Sequence, residues 1–216
     1  MVAAMPDPSR LALFVGAALL LLVVPGPSVL YIVTQSVSHG RRAGIASVAG
    51  ITTGTLVHIA AATVGLSALL ASSALAFDVV KYLGAAYLIA VGIRRLAGWE
   101  REREPETRET RDLGRLYRQG IVVNTLNPKT ALFFLAFLPQ FVDPERGTPW
   151  VQILALGLLF AALGFLSDGV WALVAGTLGE RLRRSRSFPK VQRYVSGSVF
   201  VGLGAVAALT APVKQT

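Results

Sequence analysis

Residues 11–37 read LALFVGAALLLLVVPGPSVLYIVTQSV. The stretch carries no charge and exceeds the ~20 apolar residues that a helix needs to cross a bilayer. Its middle is broken by Pro25-Gly26-Pro27. Each proline lacks a backbone N–H, so carbonyls one turn earlier lose their partners, and Gly26 loosens the turn between them. Unpaired carbonyls are expensive in hydrocarbon. Broken backbone at membrane depth is therefore tolerated only where it is buried in protein or lines a cavity. The run calls for a lipid solvent, and the break calls for other helices around it.

The remaining sequence agrees. Of 216 residues, 53% are hydrophobic and only 15% charged, against about a quarter charged in a soluble domain. Further apolar segments fall at 44–70, 78–97, 119–142, 150–179 and 194–211. The expected architecture is all-α, a single membrane domain over 1–216 with six transmembrane helices. The one strongly polar stretch, 98–118, contains Glu100-Arg101-Glu102-Arg103-Glu104 and reads as a charged connector. Leu11 to Val24 has the length of a signal-peptide core. Its flank offers only Arg10, balanced by Asp7, and no A-x-A-like site follows, so it reads as a retained first helix.

The charge pattern gives an orientation. The connections after the first, third and fifth segments carry 16 of the 21 Lys and Arg residues, among them Arg41, Arg42 and the run Arg181 to Arg193. The opposite side has Arg10, Lys81, Arg146 and Lys214. By the positive-inside rule, 98–118 is cytoplasmic and both termini are extracytoplasmic. The net charge of +9 is thus spread over short loops, not gathered into the basic stripe of a nucleic-acid-binding face. The absence of cysteine excludes disulfides and thiol-based redox or metal chemistry.

A second break, Asn127-Pro128-Lys129, lies in the fourth segment and adds a charge. Each break sits in the first segment of a three-helix half, 11–97 and 119–211, and three crossings invert one half relative to the other. Interrupted helices at corresponding places in inverted repeats are the strongest sequence pointer to a transporter's substrate site. Two unrelated proline kinks are the alternative.

The chain resembles the LysE/RhtB family of amino-acid exporters. The likeness is carried by Pro25-Gly26-Pro27, by Gly40-Arg41-Arg42-Ala43-Gly44, by Lys81-Tyr82-Leu83-Gly84-Ala85-Ala86-Tyr87-Leu88, and by Asn124-Thr125-Leu126-Asn127-Pro128-Lys129 leading into Phe133-Phe134. Ser28 stands where many members of that family have Asn, which leaves substrate identity open. The resemblance implies export of small amino acids or related metabolites across a bacterial cytoplasmic membrane, driven by the proton gradient and without a cofactor. The implied partners are a small-molecule substrate and membrane lipids, with a homo-oligomer left open.

Two charges are expected deep in the membrane. Lys129 lies roughly 16 Å beyond Arg118 and Asp168 roughly 20 Å before Arg181, so both fall near the midplane of a ~30 Å core. Such residues are functional candidates by default, and a structural ion pair is the alternative. Asp168 belongs to a stripe of small residues, Gly157, Ala161, Gly164, Ala172, Ala175 and Gly179, that places it on a packed face. In the second segment Ala46, Gly50, Gly54 and His58 form a similar face. Thr52, Thr53 and Thr55 are expected to bond back to their own helix.

The candidate substrate site is Pro25, Gly26, Pro27, Ser28, Asn124, Asn127, Pro128 and Lys129. Asp168 and His58 are the candidates for proton coupling, although a neutral hydrogen-bonded histidine in the packing seam accounts for His58 better. A zwitterion would find positive partners in Lys129 and in the helix restarting after Gly26, and acceptors in Asp168 or the freed carbonyls. Two other readings stay open. A divalent metal-ion exporter would want more His and carboxylate ligands at depth than His58 and Asp168 supply. A non-transporting assembly protein would leave the two breaks unused. An enzyme is not expected, since no nucleophile and base pair up.

Overall fold

The computed structural model describes residues 6–72 and 112–183, with isolated positions between 79 and 98 and between 194 and 205. Those isolated positions are helical apart from the turn at Gly98. The expected segments 78–97 and 194–211 and the connector up to residue 111 otherwise lie outside the described residues.

The first segment is two helices, α1 (Pro8–Val23) and α2 (Pro27–His39), bent by 49° at the break. Asp7 caps α1 by accepting from the Ser9 and Arg10 N–H groups. The Ser9 hydroxyl, and then the Arg10 N–H, hold its carboxyl below the usual carboxylate range. Val24 and Gly26 are extended, and Pro27 opens α2 in the first helical position, where its missing N–H leaves no intrahelical bond unmade. Pro27 therefore starts a helix. The interruption itself falls at Val24, Pro25 and Gly26. At the other end Gly40, at φ +85°, closes α2 in a conformation that favours glycine.

Next comes α3 (Arg41–Ser72), long and apolar enough to span the membrane over Arg41–Gly65. After the undescribed connector, Asp112 caps α4 (Leu113–Thr125) by accepting from the Gly114 N–H. The apolar pattern begins at 119, but the capped helix begins six residues earlier because Leu116 turns inward and is fully buried. Asn127 then caps α5 (Pro128–Leu132), with Pro128 again in the first position. The chain continues through one π-helical turn (Phe133–Phe137) and a 3-10 turn (Leu138–Phe141). Leu113–Thr125 and Pro128–Phe141 are bent by 46° at this second break. A further 3-10 turn (Pro144–Arg146) leads to α6 (Pro149–Arg183), whose Pro149–Thr177 portion can span the membrane. Counting each bent pair as one span, the described residues supply up to four crossings, and no strand occurs among them.

Close helix approach organises the bundle. The small face of α3 lies on α4: a Cβ at Gly50 would fall 2.1 Å from the Tyr117 carbonyl, and one at Gly54 2.8 Å from Asn124 Cβ. Gly120 returns the fit, its Cβ position lying 2.9 Å from the Ser47 carbonyl. Thr53 and Thr55 bond back to the Ala49 and Ile51 carbonyls, as expected. The small face of α6 is likewise buried from Gly157 to Ala175. One end of the molecule is filled by aromatic rings, with Phe133 stacked on Phe160 at 4.4 Å and Phe14 edge-on to Phe141 at 5.3 Å. There Arg10 pairs with Asp143 at 3.1 Å, tying the start of α1 to the turn before α6.

Candidate functional site

The two breaks meet. The extended Val24 leaves its carbonyl free at the end of α1, and Lys129 Nζ donates to it at 2.6 Å. A Cβ at Gly26 would lie 3.0 Å from Lys129 Cδ, so glycine lets the lysine stem pass against the break. Asn127 caps α5 by accepting from the Lys129 N–H at 3.0 Å, while its Nδ2 donates to Ser28 Oγ at 2.8 Å. One asparagine side chain thus shapes the second break and reaches across to the first.

Asn124 is the hub beneath them. Its Oδ1 accepts from Ser28 Oγ at 2.9 Å and Thr130 Oγ1 at 3.0 Å, and its Nδ2 donates to the Ile51 carbonyl and Thr55 Oγ1, each at 2.8 Å. Its carbonyl accepts from His58 Nε2 at 2.9 Å, which requires the proton of a neutral ring to sit on Nε2. Apart from the half-buried His58, these groups are buried. Hydrogen bonds in so dry a place both rigidify the site and make each lost partner costly.

These elements enclose a cavity of about 470 Å³, including its open mouth. Gly26, Ser28, Asn124, Asn127, Lys129 and Asp168 line it. Lys129 and Asp168 are the two buried charged side chains among the described residues, and both line this one cavity.

Of the residues expected from sequence, these six come together at the cavity. Pro25, Pro27 and Pro128 do not line it; they set the backbone geometry, and Pro128 faces outward. His58 does not line it either. It reaches the site through the Asn124 carbonyl and stacks on Phe134 at 6.0 Å. Thr55 and Thr130, which do line it, were not expected. A threonine beside a helix break has no sequence signature that separates it from one bonding to its own turn. The Val24 carbonyl has none at all, being backbone. No three His, Asp or Glu side chains approach one another as metal ligands would among the described residues.

Apolar helices, two of them broken at one buried polar point that opens on a cavity, define an integral membrane protein of the translocating kind. The chain belongs to the LysE type translocator family, whose profile matches residues 19–211. It is 34% identical to a homoserine/homoserine lactone efflux protein of Salmonella typhimurium over 88% of this chain and 91% of that one. It is 32% identical to an uncharacterized membrane protein of Vibrio cholerae, over 88% and 92%. A leucine efflux protein of Klebsiella pneumoniae is 28% identical over 90% of this chain and 92% of its own length. No solved structure matches the chain.

Proposed function

We propose that the chain is a proton-coupled exporter of small amino acids or their close derivatives, with the cavity between the two breaks as its substrate site. The observation that carries this reading is the Lys129–Val24 bond beside Asp168. An ammonium group already rests on a carbonyl freed by the break, with a carboxylate in the same cavity. Those are the partners a substrate α-ammonium needs, and Lys129, once displaced, is the partner a carboxylate needs.

The relatives' names fit this chemistry. Homoserine lactone has no free carboxylate, so a site taking both homoserine and its lactone must recognise the ammonium they share. In this reading the substrate ammonium replaces Lys129 on the Val24 carbonyl. Asp168, relieved of its partner, takes up a proton, and rocking of one half against the other alternates access. The halves are 11–97 and 119–211, inverted about the membrane plane, in a bacterial cytoplasmic membrane. Their support is the shared design of the breaks: bends of 49° and 46°, each with a proline opening the restarted helix.

Purified protein in sealed vesicles tests the proposal. Efflux of labelled homoserine, and its acceleration by an imposed pH gradient, are the expected results. Flux of a divalent metal ion without any amino-acid flux would favour the metal-exporter reading instead. Reporter fusions within 100–112 and at Thr216 test the topology, and a reporter at Thr216 active only in the cytoplasm would overturn the inverted repeat.

A further inference from the structure

Between the cavity and the end carrying Arg41 and Arg42, the seam of α2, α3 and α6 is shut tight, yet it is polar. Ser36 is 1% exposed and Gln35 5%. Gln35 Oε1, Ser36 Oγ and His39 Nδ1 are buried atoms with no hydrogen-bond partner among the described residues. Spaced i, i+1 and i+4, they share one face of α2, and cavity-lining Ser28 lies on that face two turns earlier. From Ser28 to His39 the helix rises about 16 Å, roughly half of a ~30 Å membrane core. A polar line therefore runs from the cavity to one surface, interrupted by the fully buried Ile32.

The seam leaves no room. A Cβ at Gly44 would lie 2.1 Å from Ser36 Oγ and 3.1 Å from Ala172 Cβ, and one at Gly176 would lie 2.8 Å from Arg41 Cγ. Polar groups in a permanent helix seam are normally paired. Buried groups without a partner among the described residues weaken a seam while it is shut, and it gains their hydration when it opens.

We propose that this seam is the inner gate of the transport path. Separation of α2 from α3 and α6 wets Gln35, Ser36 and His39 and connects the cavity with the Arg41 face. The inference rests on the reading of the chain as an alternating-access exporter. It adds the route by which substrate enters from the cytoplasmic side.

The native chain has no cysteine, so single thiols report alone. Ser36→Cys, which nearly preserves side-chain size, and Gln35→Cys in the full chain are reconstituted in vesicles. They are exposed to a charged, membrane-impermeant methanethiosulfonate on one side at a time, with Arg42→Cys marking the side reached. The expected result is labelling at position 36 or 35 from the Arg42 side only, at a rate that homoserine changes severalfold. One-sided labelling indifferent to homoserine supports the gate and counts against homoserine as the substrate, which the vesicle efflux assay decides separately. Thiols unreactive from both sides while Arg42→Cys reacts, or reactive from the opposite side, overturn the gate.

Discussion

Lys129 Nζ and the Val24 carbonyl, 2.6 Å apart, join two helix breaks that are separated by more than a hundred residues of sequence. Each solves the other's problem. The carbonyl has lost its helical donor to Pro25 and Gly26, and the ammonium has been carried into an apolar bundle where an unpaired charge is costly. The bond holds α1 to α5 with a charge-assisted hydrogen bond that a substrate ammonium can replace.

Lys129→Met keeps the length of the side chain and removes both charge and donor. A charge-assisted bond of about 1.5–3 kcal/mol corresponds to roughly a 10- to 100-fold effect, and homoserine efflux should fall at least that far. The protein should remain folded, because Met keeps the length, the cost of burying the ammonium disappears, and Asp168 without its partner can be protonated. Gly26→Ala, which pushes a methyl to 3.0 Å from Lys129 Cδ, should slow efflux by a smaller factor. Normal efflux by Lys129→Met would remove this residue from the site.

Asn124→Leu should lower stability most among the site variants. It strips the acceptor from Ser28 and Thr130 and the donor from Thr55 and the Ile51 carbonyl. With ~1–3 kcal/mol for each buried group left unpaired, the loss should reach about 2–5 kcal/mol. Thermal unfolding in detergent, compared with the unmodified chain, reads it directly; an unchanged midpoint would mean the hub is not holding the breaks together.

Gly50→Ala and Gly65→Ala form a matched pair on α3. A methyl at 50 would meet the Tyr117 carbonyl at 2.1 Å, while one at 65 meets nothing within 4 Å. Overpacking costs about 1–3 kcal/mol, so Gly50→Ala should unfold at a clearly lower temperature, whereas Gly65→Ala, which gains only helix propensity, should unfold at an equal or slightly higher one. Equal midpoints for the two would contradict the α3–α4 contact.

Asp168 and His58 separate in a pH-gradient assay. Asp168→Asn should retain homoserine exchange and lose its acceleration by an imposed gradient. His58→Gln keeps an N–H that can donate to the Asn124 carbonyl and should retain that acceleration, whereas His58→Ala should cost about 1–2 kcal/mol of stability. Gradient-driven efflux that survives in Asp168→Asn and disappears in His58→Gln would exchange their assigned roles.

Much of this protein is written along its chain. The apolar runs and the two Pro-containing breaks follow from local chemistry, since a proline removes a donor wherever the helix lies. The small faces of α3 and α6 follow from periodicity, and Gly50, Gly54 and Asp168 are buried on the sides that spacing assigns them. What spacing leaves open is partnership. Nothing in the order of residues says that Lys129 reaches the Val24 carbonyl, that Asn124 gathers Ser28, Thr55 and Thr130, or that His58 serves a backbone carbonyl. Those pairings depend on where distant helices cross, and a shift of one turn would replace every one of them. Tertiary structure also decides that Pro27 and Pro128 begin helices and stand back from the cavity. That division has a physical basis: breaking a helix is a property of a few neighbouring residues, whereas satisfying the groups that the break exposes needs atoms that only packing brings near.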